Sequence, residues 1–173
     1  LQPIDTARIR QWDNIGDLAK AGGISKYTWQ GHGDAPVRKL YVQPDGTLGQ
    51  QPMPMISMLP TAHNVDSFGY DRRLFGDEGP EGASWAWLLD RRARGRIALV
   101  DEPAIGIFDA ALAAEANGDL TFQDIGNMTV DEIDSLMSLL ETLRQQGFFV
   151  GSWLTPAEAE TLVRNDRVSV QSM

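Results

Sequence analysis

Four apolar residues, Ile97 to Val100, end abruptly at Asp101-Glu102-Pro103, and an alanine-rich segment follows. A short continuous apolar run of this kind reads as a strand buried on both faces. Proline lacks a backbone donor, but its fixed φ suits the first turn of a helix. The pattern predicts a strand over 96–100 that hands over to a helix running from Pro103 to about Ala116. Gly118 is placed to stop that helix.

The residues around this junction use the same punctuation. Ser84 is placed to cap a short helix over 85–89. Thr129 and Glu132 form a capping box. Val130, Ile133, Leu136, Met137, Leu140 and Leu143 then recur at helical spacing, which predicts a core-facing stripe that ends at Gly147. Residues 148–151 read as a short strand. Thr155, Pro156 and Glu158 start another helix that runs to about Arg164, and 167–172 alternate as a last strand. From residue 96 the order is strand, helix, helix, strand, helix, strand, so the fold class is α/β, with helices packed on a mostly parallel sheet. Upstream, residues 1–55 are irregular and dense in Gly and Pro. Asp45-Gly46 predicts a small hairpin, 56–70 read as extended and 76–83 as a loop.

The net charge is −9, which argues against a nucleic-acid partner, since that would need a basic face. There is no cysteine, so disulfides and thiolate chemistry are excluded. No apolar run approaches the roughly 20 residues that span a bilayer, and no signal peptide is visible. The chain opens at Leu1 and closes in an alternating VSVQSM. That reads as a piece of a longer protein from which any targeting signal has been removed.

In open α/β sheets, ligands bind beyond the carboxyl ends of strands. Asp101 and Glu102 lie at such an end, just before a helix. A bare helix N-terminus attracts anions, whereas carboxylates placed there can recruit a cation. The competing role is a helix cap that complements the dipole, contributing roughly 0.5–2 kcal/mol. Gly151, Ser152 and Trp153 occupy the equivalent place after the next strand, where Trp153 serves either to wall a ligand or to pack the core. His32 with Asp34 could begin a metal site, but a second cluster at ligand spacing is missing, so neither metal nor cofactor is expected. No nucleophile elbow, P-loop or dinucleotide fingerprint is present.

Four segments carry a resemblance to a known family. SWAWLLDRRARGRIALVDEP (84–103) is similar to the segment of periplasmic solute-binding proteins in which a Trp-x-x-Leu helix precedes a basic-Gly-basic-Ile strand. LPTAHNVDSFGYD (59–71) resembles the strand that crosses from the first lobe to the second. LQPIDTARIRQWDNI (1–15) resembles a first-lobe stretch, and RNDRVSVQSM (164–173) the strand that returns to the first lobe. The order is that of the spermidine/putrescine-binding branch of ABC-transporter receptors, with 23–55 longer than usual.

The resemblance implies a lobe of the type II periplasmic-binding-protein kind. Residues 1–58 would be a peripheral part of the first lobe, 59–70 the hinge-crossing strand, 71–166 the second α/β lobe and 167–173 the return strand. It also implies an exported, periplasmic, non-enzymatic component of an ABC importer, a monomer when full-length. Such a protein captures a small solute, a polyamine or another cationic organic compound, and delivers it to a membrane permease. Glu102, with Asp101 beside it, matches a carboxylate that holds ligand ammonium groups. A second family carboxylate lies one turn on, where this chain reads Ala104, Ile105 and Gly106. Ser152 matches a ligand-contacting serine, and Trp153, His63 and Asn64 join the expected ligand-binding set. An enzyme using a carboxylate pair and a signalling receptor of the same fold are the alternatives.

Overall fold

The computed structural model describes residues 2–23, 36–61, 66–77 and 82–173. The chain divides into two compact units, Leu1–Asn64 and Val65–Met173.

The first unit is built from two-residue strands, β1 (Ile4–Asp5), β2 (Tyr41–Val42), β3 (Leu48–Gly49) and β4 (Met55–Ile56). They form an antiparallel sheet in the order β1-β4-β2-β3. The hairpin predicted at Asp45-Gly46 is present. Gly46 takes a φ of 83°, where a side chain would be strained, and the Asp45 carboxylate accepts hydrogen bonds from the Thr47 amide at 2.9 Å and its hydroxyl at 2.6 Å. Among the described residues its core is small: Val37, Leu40, Tyr41 and Ile56, flanked by Ile9, Trp12 and Met53.

The second unit contains β5 (Phe68–Tyr70), β6 (Ile97–Val100), β7 (Phe149–Trp153) and β8 (Val170–Ser172). Their order in the sheet is β5-β8-β6-β7. Strand β6 runs parallel to both β7 and β8, while β5 is antiparallel to β8. The long helices are Pro103–Asn117, Val130–Gln145 and Pro156–Arg164. This is an α/β unit with a mixed sheet, and the strands expected at 96–100 and 167–172 are neighbours in it.

The local signals predicted these helices well. Pro103 occupies the first turn of its helix, and Gly118 terminates it in the left-handed region at φ 79°. Thr129–Glu132 and Thr155–Glu158 both close as reciprocal capping boxes. Ser84 caps a 3-10 turn over Trp85–Leu89 by accepting from the Ala86 amide.

Three expectations are corrected. Val130 is 71% exposed and Met137 53% exposed, so the Val130–Gln145 helix packs through Leu136, Leu139, Leu140 and Leu143 instead. Val130 lies at the helix tip, and Met137 is rotated about 100° from Leu136 onto the flank. Residues Gly151 to Trp153 lie within β7 rather than after it, because the ladder to β6 continues: Ala98 pairs Gly151, Leu99 pairs Ser152 and Val100 pairs Trp153. The last strand is shorter than expected and begins at Val170.

One sheet face carries the main core. Phe68, Tyr70, Ile97 and Val170 pack with Trp87, Leu88, Ala110, Ala113 and Ala114. The Pro103–Asn117 helix sits unusually close to the strand below it. A Cβ on Gly106 would fall 2.5 Å from the Val100 carbonyl oxygen, and small residues continue that face with Ala110, Ala113 and Ala114.

Candidate functional site

Because β6, β7 and β8 are parallel, their carboxyl ends lie at one edge of the unit, and the amino end of antiparallel β5 joins them there. Asp101 and Glu102 leave β6 at this edge. The Asp101 amide donates to the Trp153 carbonyl at 2.6 Å, which carries the β6–β7 ladder one residue past Val100. That bond fixes the exposed Asp101 side chain next to Ser152, whose hydroxyl donates to Asp101 Oδ2 at 3.3 Å. An acid and a hydroxyl from separate strands thus meet through register alone.

Glu102 has the extended backbone of an N-cap, with φ −121° and ψ 109°. Its Oε2 accepts from the Ile105 amide at 3.0 Å. The capping role is therefore real, and it engages one carboxylate oxygen of a half-buried side chain. Two negative charges stand together at this edge, with the Ser152 hydroxyl as a further polar group. The arrangement can accept hydrogen bonds from a cationic group.

Trp153 is held from a second direction. Its indole Nε1–H donates to the Ser172 carbonyl at 3.1 Å. Ser172 is fully buried, and its Oγ also accepts the Val100 amide at 2.8 Å. Ser172 thus ties β6, β7 and β8 together immediately beneath the edge.

Asp109 lies beneath the same edge, on the inward face of the Pro103–Asn117 helix, and is 1% exposed. Burial pushes its carboxyl up to about 6, the nearby Ser172 hydroxyl opposes that shift, and the charge of Asp66 reinforces it. The hydroxyl is near enough to act electrostatically, yet among the described residues neither carboxylate oxygen has a partner in hydrogen-bond geometry. The sequence reading passed over Asp109, Ser172 and Gly106. Asp109 had a visible signal, as the one acid inside the apolar run GIFDAALAA.

Of the expected site residues, Asp101, Glu102, Ser152 and Trp153 come together. His63 and Asn64 lie outside the described residues, as do His32 and Asp34. Among the described residues no three His, Cys, Asp or Glu side chains are grouped to hold a metal, and no helix is long and apolar enough to cross a membrane. No protein family, no curated protein and no solved structure matches this chain.

Proposed function

We propose that this chain belongs to the substrate-binding component of an ABC importer, and that the unit Val65–Met173 is the second lobe of a two-lobed solute receptor. The solute is a polyamine or another cationic organic compound, captured without chemical conversion and passed to a membrane permease. The protein acts in the periplasm as a monomer. One observation carries the reading: Asp101 and Ser152 meet 3.3 Å apart across the carboxyl ends of adjacent parallel strands, with Glu102 beside them. Carboxylates at that position suit an ammonium or guanidinium group.

The strand pairing supports the same reading. Phe68 of β5 lies opposite Ser172 of β8. The strand that brings the chain into this unit therefore starts beside the end of the strand assigned to the return. A lobe joined to its partner by two adjacent strands needs that arrangement.

The test is calorimetric titration of the intact receptor with spermidine and putrescine. Replacing Glu102 by Gln keeps an oxygen for the Ile105 amide and removes the charge. Affinity is expected to fall by on the order of 2–5 kcal/mol, as when one partner of a buried charge pair is truncated. Stability is expected to fall only by the helix-dipole contribution of about 0.3–1 kcal/mol. An unchanged dissociation constant with a lowered melting temperature would leave Glu102 as a cap alone. Absence of binding to any cationic solute would end the assignment.

A further inference from the structure

Beneath the strand-end edge, Asp109 and Val100 compete for one hydroxyl. Ser172 is fully buried, and its Oγ accepts the Val100 amide at 2.8 Å. The same hydroxyl acts on the Asp109 carboxyl, yet among the described residues neither Asp109 oxygen has a partner in hydrogen-bond geometry. An ionised carboxylate only accepts, so it needs donors. Without one, a carboxyl that is 1% exposed is favoured as the neutral acid.

The surroundings supply no better donor. The turn Trp85–Leu89 brings only Trp, Ala and Leu side chains against this helix, and β6 brings Ile, Ala, Leu and Val. The Val130–Gln145 helix packs through its leucines, and the Ile125–Asn127 turn through Ile125. Asp124, which caps that turn, accepts from the Gly126 amide. On the helix of Asp109 itself, Glu102 accepts from Ile105 and Glu115 from Phe122. Asp66, just ahead of β5, is the other titratable group whose charge acts on Asp109, and a second carboxylate donates nothing.

From where it bonds Val100, the Ser172 hydroxyl does not reach Asp109 in bonding geometry, so donating to the carboxylate requires it to move. Hydrogen bonds to an ionised group are about twice as strong as neutral ones, which decides the competition once the proton leaves. Val100 is the last residue of β6, directly before Asp101 and Glu102. From this competition we infer that Asp109 is a proton-operated positioning residue: its ionisation draws the Ser172 hydroxyl from the Val100 amide and loosens the end of β6 that carries Asp101 and Glu102. The inference concerns the strand end itself and stands whether or not that edge captures a cation.

The test is a pH titration of the ¹³C,¹⁵N-labelled whole chain, following the Asp109 carboxyl carbon and the Val100 amide. The Asp109 carbon is expected to titrate with a midpoint of about 6. The Val100 amide proton should move upfield with the same midpoint, as its hydrogen bond weakens. In Asp109→Asn the Val100 amide should show no step there. Asp66→Asn removes a charge that raises the Asp109 midpoint, so both midpoints should fall together. In Ser172→Ala the Asp109 carbon should still titrate, while the Val100 amide no longer follows it. A Val100 amide that ignores the Asp109 titration in the unaltered chain would overturn the inference, an outcome that needs no variant to fold. So would an Asp109 midpoint at or below roughly 4, the ordinary value for the residue.

Discussion

Asp109 is the residue whose chemistry departs most from its surroundings. Its folded pKa, raised to about 6, exceeds the unfolded value of about 3.9. The folded state therefore holds the proton more tightly. The corresponding stability is fully present below about pH 4 and is lost as pH rises through 6. Replacement by Asn removes this dependence. Compared with Asp109→Asn, the unaltered chain should lose on the order of 2 kcal/mol between pH 4 and pH 7.5, which urea unfolding at the two pH values can measure. Carboxylates with lowered pKa, such as Asp71 beside Arg73 and Glu132 in its capping box, act in the opposite sense. They are common to both proteins, so the difference isolates Asp109. An equal pH dependence in the two would show that Asp109 is not titrating in the folded chain.

At the scale of elements, the contact between the Pro103–Asn117 helix and β6 sets the geometry of the site. The helix starts at Glu102 and must cross Val100 with no side chain at residue 106, where a Cβ would fall 2.5 Å from a carbonyl oxygen. Backbone oxygen cannot move aside as a side chain can. Gly106→Ala is expected to lower stability by about 1–3 kcal/mol despite its better helix propensity, and to shift the Asp101 and Ser152 resonances. If stability rises instead, the helix is not packed this closely. Thr129→Ala removes one half of a capping box on the Val130–Gln145 helix. It should cost about 1 kcal/mol without touching those resonances.

The two units differ in how much core they enclose. The second gathers Trp87, Leu88, Ile97, Phe122, Leu136 and Val170 among its buried residues, with a second shell of half-buried apolar side chains around them. Among its described residues the first encloses four, Val37, Leu40, Tyr41 and Ile56. Small cores do not offset the conformational entropy of ordering a chain. Residues 65–173 expressed alone should therefore unfold cooperatively, with a melting temperature within a few degrees of the whole chain's second-unit transition. Residues 1–64 alone should give no cooperative thermal transition by circular dichroism. A sharp melt of the isolated 1–64 segment would contradict this account.

Helix starts and stops, and one hairpin turn, are legible in the chain alone. Pro103, Gly118, the Thr129 and Thr155 boxes and the Asp45-Gly46 turn all act through φ preferences and hydrogen bonds that span a few residues. Such effects need no distant partner, so they are legible in one dimension. The carboxylates at the end of the 97–100 strand were legible for the same reason, because a strand end and a helix start are both local. Long-range packing set the order β5-β8-β6-β7, which depends on which strands bury each other's faces. It extended β7 to Trp153 because β6 supplied partners, and it turned Met137 and Val130 outward because the helix met the core along Leu136 and Leu140. The pairing of Asp101 with Ser152 and the burial of Asp109 beside Ser172 are long-range consequences of that sheet order. They join residues 51 and 63 positions apart, separations for which local preference carries no information.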